Sequence, residues 1–236
     1  MLYFSNKKTL ERASMQATLS SILPNLKAVF FDLDDVLVFS ETTHTKAWQM
    51  SLPKFGINPN EIDFQSLVGI SDMQQAIRFK EQFALKEDPK LLFELKRNTF
   101  FELSKMGFKS PLGRNSFLER LSQSVIVGVV SSSVQKVINQ VLSLEEISSF
   151  FHFIIGYEDC ERHKPDPLPY QNALARAGIK PHEALVIEDS VSGIRAAQSA
   201  LIPVVGILKD QRPDQILKEV KYFSHFSEIH AELFDK

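Results

Sequence analysis

The chain has 236 residues, of which 44% are hydrophobic, and its formal net charge at pH 7 is −2. This length suits one large domain or a domain with an insertion, and the charge gives no reason to expect a nucleic-acid or membrane partner. The single cysteine, Cys160, excludes an intrachain disulfide and a cysteine-based zinc site, and a reducing, cytoplasmic location fits.

The first 25 residues are polar and mixed, and they lack the apolar centre of a signal peptide. We treat residues 1–25 as an N-terminal extension. From Ala28 onward, apolar runs alternate with helical patterns, which is typical of an α/β fold with a parallel sheet. The predicted strands are Ala28–Phe31, Val125–Val130, Phe151–Ile155, Ala184–Ile187 and Val204–Ile207. The predicted core helices are Val134–Leu142, Pro167–Ala177, Ser190–Ala200 and Asp214–Lys218, with Asp166 as the N-cap of the second.

One long stretch interrupts this alternation. Between Glu41 and about Pro111 the sequence has helical periodicity, many phenylalanines and no convincing strand. His44 and Trp48 lie one helical turn apart at its start, and we expect packing or hinge roles for them. The predicted organisation is therefore an α/β core, residues 26–40 and 113–236, with an inserted all-helical cap, residues 41–112.

The first predicted strand ends in three carboxylates, Asp32, Asp34 and Asp35. Like charges at the end of a buried strand repel one another, so this crowding does not stabilise a fold by itself. A cation must offset it, and Mg²⁺ together with a phosphoryl group is the simplest interpretation.

Three further sites follow predicted strands or precede capped helices. The first is Ser131-Ser132-Ser133, where hydroxyl and N–H groups before a helix could bind an anion. The second is Lys164, just ahead of a capped helix, and the third is the acid pair Glu188-Asp189. All are expected at the carboxyl edge of the sheet, where ligands of open α/β sheets bind.

The ordered set Asp-x-Asp, Ser, Lys and Glu-Asp resembles the four signature motifs of the haloacid dehalogenase (HAD) superfamily. The resemblance covers roughly residues 27–210 and is closest to the β-phosphoglucomutase-like branch, which has a helical cap after the first motif. It is carried by Phe31-Asp-Leu-Asp-Asp-Val-Leu-Val38, Ser40-Glu41, His44-Thr-Lys-Ala-Trp48 and Glu188-Asp-Ser-Val-Ser-Gly-Ile-Arg-Ala-Ala197. It implies a Rossmann-like parallel-sheet core.

The same resemblance implies a role for each matching position. Asp32 would be the nucleophile that forms an aspartyl-phosphate, and Asp34 the general acid and base. Asp32, the Asp34 carbonyl, Asp189 and Glu188 would hold Mg²⁺. For Glu188, a supporting or capping role is an equal alternative. The phosphate oxygens would be bound by Ser131, with Ser132 beside it, and by Lys164.

The leading function is thus a Mg²⁺-dependent phosphatase acting on a small phosphorylated metabolite such as a sugar phosphate. A phosphosugar mutase is the alternative, but mutases of this branch carry an arginine where this chain has Asp72 in Gly69-Ile70-Ser71-Asp72. A phosphoryl-accepting signalling domain or a non-catalytic binding protein is the alternative of another class. The expected partner is the substrate alone, without nucleic acid or membrane, and a monomer is favoured.

Overall fold

The computed structural model describes residues 23–67, 70–208 and 217–235. The strands in this part of the chain are β1 (Ala28–Phe31), β2 (Ile126–Val130), β3 (Phe153–Ile155), β4 (Ala184–Glu188), β5 (Val204–Ile207) and β6 (Lys221–Phe223). They form a parallel sheet in the order β3-β2-β1-β4-β5-β6. The order runs outward in both directions from β1 and β4. Ligands of such sheets bind at the carboxyl ends of the strands beside this switch point.

The strand registers bring the carboxyl ends of the central strands to one level. Phe31, the last residue of β1, pairs with Val129 of β2 and with Ile187 of β4. The residues that follow Phe31 and Ile187 are Asp32 and Glu188. These two carboxylates therefore begin side by side at the same edge of the sheet.

Helices cover both faces of the sheet. The described α-helices are α1 (Glu41–Ser51), α2 (Asp72–Gln82), α3 (Pro89–Ser104), α4 (Arg114–Ser122), α5 (Gln135–Leu144), α6 (Leu168–Ala177), α7 (Val191–Ser199) and α8 (Phe226–Phe234). Alternate residues of β1 face opposite sides, so Val29 and Phe31 pack with α4, α5 and α8, whereas Ala28 and Phe30 pack with α6 and α7. This layered arrangement confirms the predicted α/β, Rossmann-like core.

The described elements between β1 and α4 are helical, as predicted for the cap. They have an apolar core of their own, which includes Trp48, Leu52, Phe79 and Leu92. The two segments that connect the cap to the sheet domain run side by side. The Phe39 N–H in the first donates to the carbonyl of Lys109 in the second at 3.0 Å. The domain limits 26–40, 41–112 and 113–236 stay a prediction with which these elements agree.

Most predicted elements are present with small shifts at their ends. Strands β1 and β5 have the predicted limits, whereas β2 begins at Ile126 and β3 at Phe153. Asp166 accepts a hydrogen bond from the Leu168 N–H at 2.9 Å, so it caps α6 from just outside the helix. Three elements, β6, α4 and α8, were not predicted from the sequence. Strand β6 has only three residues, Lys221–Phe223, and Phe223 is the buried one among them. It therefore has no apolar run that would indicate a strand.

Two predictions fall wholly or largely outside the described residues. The N-terminal extension, residues 1–25, is described only at the 3₁₀ turn Leu23–Asn25. The predicted helix Asp214–Lys218 is described only at its last two residues, which are not helical. Within the described ranges, no helix combines the length and apolar character that a membrane-spanning segment requires.

Candidate active site

Asp32 and Lys164 form a buried ion pair at the end of β1. The main chain fixes Asp32, because its N–H donates to the carbonyl of Ile187 at 3.1 Å. The Lys164 ammonium lies 2.6 Å from Asp32 Oδ1, 2.6 Å from Glu188 Oε1 and 2.8 Å from the carbonyl of Val130. Each of its three N–H groups therefore has an acceptor, and the lysine ties β1, β2 and β4 together.

The Glu188 carboxylate is fully buried and accepts five hydrogen bonds from the protein. Its Oε1 receives the Lys164 ammonium and the Tyr170 hydroxyl, the latter at 2.9 Å. Its Oε2 receives the N–H groups of Asp189 and Ser190 and the Ser190 hydroxyl. Gly193 of α7 lies directly against this carboxylate, where a Cβ would be 1.7 Å from Oε1. The local geometry thus makes Glu188 an anchor for its neighbours.

Two carboxyls at this edge lack enough positive charge to offset their burial. Burial, opposed by Lys164 and reinforced by the charges of Glu188 and Asp34, raises the pKa of Asp32 to about 8. Burial and the charges of Glu188, Asp32 and Asp35 also raise the pKa of Asp189 well above its usual value. Asp189 lines the cavity described below, and its carboxylate has no hydrogen-bond or ion-pair partner among the described residues.

Asp34 has a different environment because two of its three side-chain partners, Ser40 and His44, lie at the start of the first cap helix, α1. Its Oδ1 accepts the Ser40 hydroxyl at 2.7 Å and lies 3.0 Å from His44 Nε2, and its Oδ2 accepts the Ser133 hydroxyl at 3.0 Å. Burial alone would raise the pKa of Asp34. The contact with His44 and the two hydroxyl hydrogen bonds outweigh burial, and they lower the pKa below its usual range.

A polar chain continues from Asp34 into the cap. His44 Nδ1 lies 2.6 Å from the ammonium of Lys96, which is fully buried and lies 2.5 Å from Asp72 Oδ2. An ammonium can only donate, so Nδ1 is the acceptor and Nε2 carries the hydrogen that points to Asp34. Stacking on Phe100 also orients the imidazole, with ring centroids 3.9 Å apart. Lys96 therefore fixes the tautomer of His44.

The loop after β2 contributes three serines with different environments. Ser131 is buried, and its hydroxyl accepts the N–H of Ser133 at 3.0 Å. Ser132 is exposed and, with Ser133, lines the cavity. This loop leads directly into α5, so its hydroxyl and N–H groups lie at the positive end of a helix.

Asp35 supports the first cap helix. Its Oδ1 accepts the N–H groups of Ser40 at 3.0 Å and Glu41 at 3.3 Å, at the start of α1. Its backbone has a left-handed φ of 56°, a conformation that favours glycine. Burial, opposed by the Glu41 N–H and reinforced by Asp34, raises the pKa of Asp35 to about 6.

A cavity of about 440 Å³ lies between the sheet edge and the cap. Of the seven residues predicted for the site, five line the cavity: Asp32, Asp34, Ser132, Lys164 and Asp189. Ser131 and Glu188 lie directly behind this lining and contact it through Ser133 and Lys164. Lys96 and Tyr170 were not predicted as part of the site, and Ser133 was predicted as part of the anion-binding loop but not as a partner of Asp34.

The described residues contain no cluster of three or more His, Cys, Asp or Glu side chains arranged to hold a metal ion. The metal roles predicted for Asp32, Asp34, Glu188 and Asp189 thus stay predictions. The raised pKa values of Asp32 and Asp189 nevertheless fit a cation between them, since each carboxyl lacks a sufficient counter-charge. Two carboxylates suit Mg²⁺, which keeps several water ligands in its sites.

A family model for haloacid dehalogenase-like hydrolases matches residues 29–207. This match covers more than half of the chain, so the protein belongs to that family.

Three relatives illustrate what the chain is similar to. The pyrophosphatase PpaX of Oceanobacillus iheyensis is 22% identical over 206 residues, which cover 84% of this chain and 94% of the relative. The phosphorylated carbohydrates phosphatase of Thermotoga maritima is 25% identical over 201 residues, which cover 82% and 91%. The crystal structure of β-phosphoglucomutase from Clostridium difficile has a TM-score of 0.74 and 27% identity, and the match covers 89% of this chain and 98% of that one.

These findings bear out the predicted class of protein. The prediction of an HAD-like enzyme, a phosphoric monoester hydrolase with a helical cap, is confirmed by the family match and by relatives that are named phosphatases. The match to a hydrolase family favours an enzyme over a signalling domain or a non-catalytic binding protein.

Proposed function

We propose that the protein is a Mg²⁺-dependent phosphatase that forms an aspartyl-phosphate on Asp32 and acts on a small phosphorylated metabolite, such as a sugar phosphate. The observation that carries the proposal is the meeting of Asp32, Asp34, Lys164 and Asp189 around one cavity. The Thermotoga maritima relative is named for phosphorylated carbohydrates, which supports this substrate class.

In the first step, Asp32 is the nucleophile. Its Oδ1 is held by Lys164, whereas no described residue donates a hydrogen bond to Oδ2, which leaves this atom available for attack. Oδ2 forms a bond to phosphorus as the bond between phosphorus and the ester oxygen breaks. Asp34, whose pKa is lowered, must bind a proton before this step, and it gives that proton to the ester oxygen as the free alcohol leaves.

In the second step, Asp34 acts as the base. It has just lost its proton, and the contacts with His44, Ser40 and Ser133 stabilise the resulting anion. Asp34 takes a proton from a water molecule as its oxygen attacks phosphorus. The bond between phosphorus and Asp32 then breaks, which releases inorganic phosphate and restores the carboxylate.

The non-reacting phosphate oxygens need positive charge and hydrogen-bond donors. We assign them to the Lys164 ammonium, to Ser131 and Ser132, and to the N–H groups of the loop that leads into α5. Lys164 has all three donors in use, so it would exchange one of its present acceptors for a phosphate oxygen.

Mg²⁺ would be held by Asp32, the main-chain carbonyl of Asp34 and Asp189. When bound, it offsets the repulsion between the Asp32 carboxylate and the phosphate dianion. The carboxylate of Asp189, which has no protein partner among the described residues, supports this assignment. We assign Glu188 to positioning instead, since both of its oxygens already accept protein hydrogen bonds.

A phosphosugar mutase is the second candidate, because the fold is similar to that of β-phosphoglucomutase at 27% identity. A mutase must hold two phosphate groups. At the cap position where such mutases carry an arginine, this chain has Asp72, whose charge is offset by Lys96. The pairing weakens the simple argument that Asp72 repels phosphate, but it adds no free cation there. Hydrolysis is therefore the better supported reaction.

The proposal is tested with Asp32→Asn and Asp34→Asn in acid-quenched reactions with 4-nitrophenyl phosphate and Mg²⁺. We expect Asp32→Asn to abolish turnover and to form no covalent phosphate detectable by mass spectrometry. Asp34→Asn should still form the covalent species, since nitrophenolate leaves without a proton, but should hydrolyse it about 10²–10⁴-fold more slowly. Asp235→Asn, at a largely exposed carboxylate, is the matched control. Near-normal turnover by Asp32→Asn would refute the mechanism.

The mutase is tested separately with β-glucose 1-phosphate and a trace of the 1,6-bisphosphate. Phosphorus NMR should show inorganic phosphate rising without an accumulation of glucose 6-phosphate. Glucose 6-phosphate that accumulates faster than inorganic phosphate would favour the mutase.

A further inference from the structure

The cavity has two unlike walls. The sheet-edge wall carries the proposed catalytic residues. The cap wall carries six apolar side chains, beside polar residues that include Asp72, Gln74 and Gln75; the apolar ones are Trp48, Phe64, Leu67, Ile70, Met73 and Phe93. A phosphate ester bound with its phosphorus at Asp32 would direct its alcohol part towards this second wall.

The charges around the cavity are mainly negative. The acidic residues that line it are Asp32, Asp34, Asp35, Glu41, Asp72 and Asp189. Among the described lining residues, Lys164 is the one lysine or arginine, and its three donors are used at the sheet edge. A second anionic group on the substrate would therefore face carboxylates and no matching ammonium or guanidinium.

Two cations of the cap helix α3, Lys96 and Arg97, are engaged with other groups. Lys96 is fully buried and pairs with Asp72 and His44. The guanidinium of Arg97 lies over the rings of Phe93 and Tyr157, 4.8 and 5.4 Å from their centroids, and borders a separate, much smaller pocket. Neither cation is among the residues that line the large cavity.

From these features we infer that the alcohol part of the substrate is uncharged and presents an apolar face to the cap. The substrate would then be a monoester of a neutral alcohol or sugar. Inorganic pyrophosphate, bisphosphates and phosphorylated carboxylic acids would be poor substrates. This inference rests on the proposed phosphatase activity, and it separates the chain from its relatives that are named pyrophosphatases.

Two esters of nearly equal shape test the inference. In 4-carbamoylbenzyl phosphate and 4-carboxybenzyl phosphate, the methylene group insulates the scissile oxygen from the substituent, so the two differ mainly by one negative charge. We expect kcat/KM for the carboxy ester to be lower by about tenfold or more, because like charges repel strongly in a partly desolvated site. Pyrophosphate, assayed beside them, should be cleaved more slowly than the carbamoyl ester.

A second test of the inference introduces a positive charge at the cavity. Gln74 of α2 lines the cavity, and its side chain is exposed. Gln74→Lys should raise kcat/KM for the carboxy ester and so reduce the preference, whereas the neutral Gln74→Met should preserve it. An unchanged preference in Gln74→Lys would show that charge in the cavity is not its cause, and would count against the inference.

The possible failures are distinguishable. Equal or faster cleavage of the carboxy ester or of pyrophosphate would overturn the inference and leave the phosphatase standing. The inference would also be overturned, and the phosphatase left standing, if both benzyl esters resisted cleavage while 4-nitrophenyl phosphate was hydrolysed. No phosphate release from any of these compounds in the presence of Mg²⁺ would overturn the proposed function and the inference with it.

Discussion

Gly193→Ala should have two effects of opposite sign on the free energy of unfolding. Gly193 is the third residue of α7, and alanine in a helix is favoured over glycine by about 1 kcal/mol. In this position, however, a Cβ would be 1.7 Å from Oε1 and 2.0 Å from Cδ of Glu188. These distances are far below any van der Waals contact, so the carboxylate would have to move.

The cost follows from what Glu188 Oε1 would lose. It accepts the Lys164 ammonium at 2.6 Å and the Tyr170 hydroxyl at 2.9 Å, and hydrogen bonds that involve a charged group contribute about 1.5–3 kcal/mol each. Loss of both exceeds the helix gain, so the free energy of unfolding should fall by about 2–5 kcal/mol. Turnover should fall as well, because the released Lys164 no longer holds Asp32 in place.

Urea unfolding in a double-mutant cycle measures this effect. Glu188→Ala removes the three atoms nearest to the added Cβ, so in that background Gly193→Ala should be neutral or stabilising by up to about 1 kcal/mol. Gly178→Ala is the control for glycine loss without a clash. Its φ is +67° and no atom lies within 4 Å, so it should cost only about 1–2 kcal/mol of backbone strain. A Gly193→Ala protein as stable as the parent would refute the reasoning.

Two further changes separate metal binding from positioning. Asp189→Asn should weaken Mg²⁺ binding at least about tenfold, as measured by calorimetric titration, and excess Mg²⁺ should partly restore turnover; undiminished affinity would remove Asp189 from the metal site. Lys96→Met should lower kcat by about tenfold, because His44 loses the donor that fixes its tautomer. The unfolding free energy should change by less than about 2 kcal/mol, because water can reach the partly exposed Asp72 that Lys96 leaves behind. A large loss of stability with kcat unchanged would contradict a positioning role for Lys96.

The sheet-edge part of the site could be predicted because each residue belongs to a local pattern. Asp32 and Glu188 directly follow apolar strand residues, and Lys164 precedes a capped helix. In a parallel sheet, the carboxyl ends of strands meet, so the order of motifs along the chain was enough to bring these residues together. Strand β1 could be predicted to the residue for the same reason, since its apolar run stops abruptly at a charge.

The surroundings of Asp34 and His44 could not be predicted because they depend on contacts between distant positions. Lys96 contacts His44 across 52 residues, and a lysine within a helical pattern is usually solvated. Ser133 contacts Asp34 across 99 residues. At the sheet edge, by contrast, the sequence carried one signal of a close approach, that of Gly193 to Glu188. Gly193 stands in the first turn of a predicted helix, where glycine is unfavourable, and such a glycine often marks a close approach.

The three neighbouring carboxylates show how one short run acquires separate roles. Burial raises the pKa of Asp32 to about 8 despite Lys164, as expected for a carboxyl whose burial is not fully offset by positive charge. The pKa of Asp34 is lowered because the cap-side groups His44 and Ser40 contact it, so its proton affinity depends on the cap helix being in place. Asp35 accepts the N–H groups that begin α1, the helix that carries His44. The third acid thus helps to hold the helix that sets the acidity of the second, which links the position of the cap to the proton transfers proposed for Asp34.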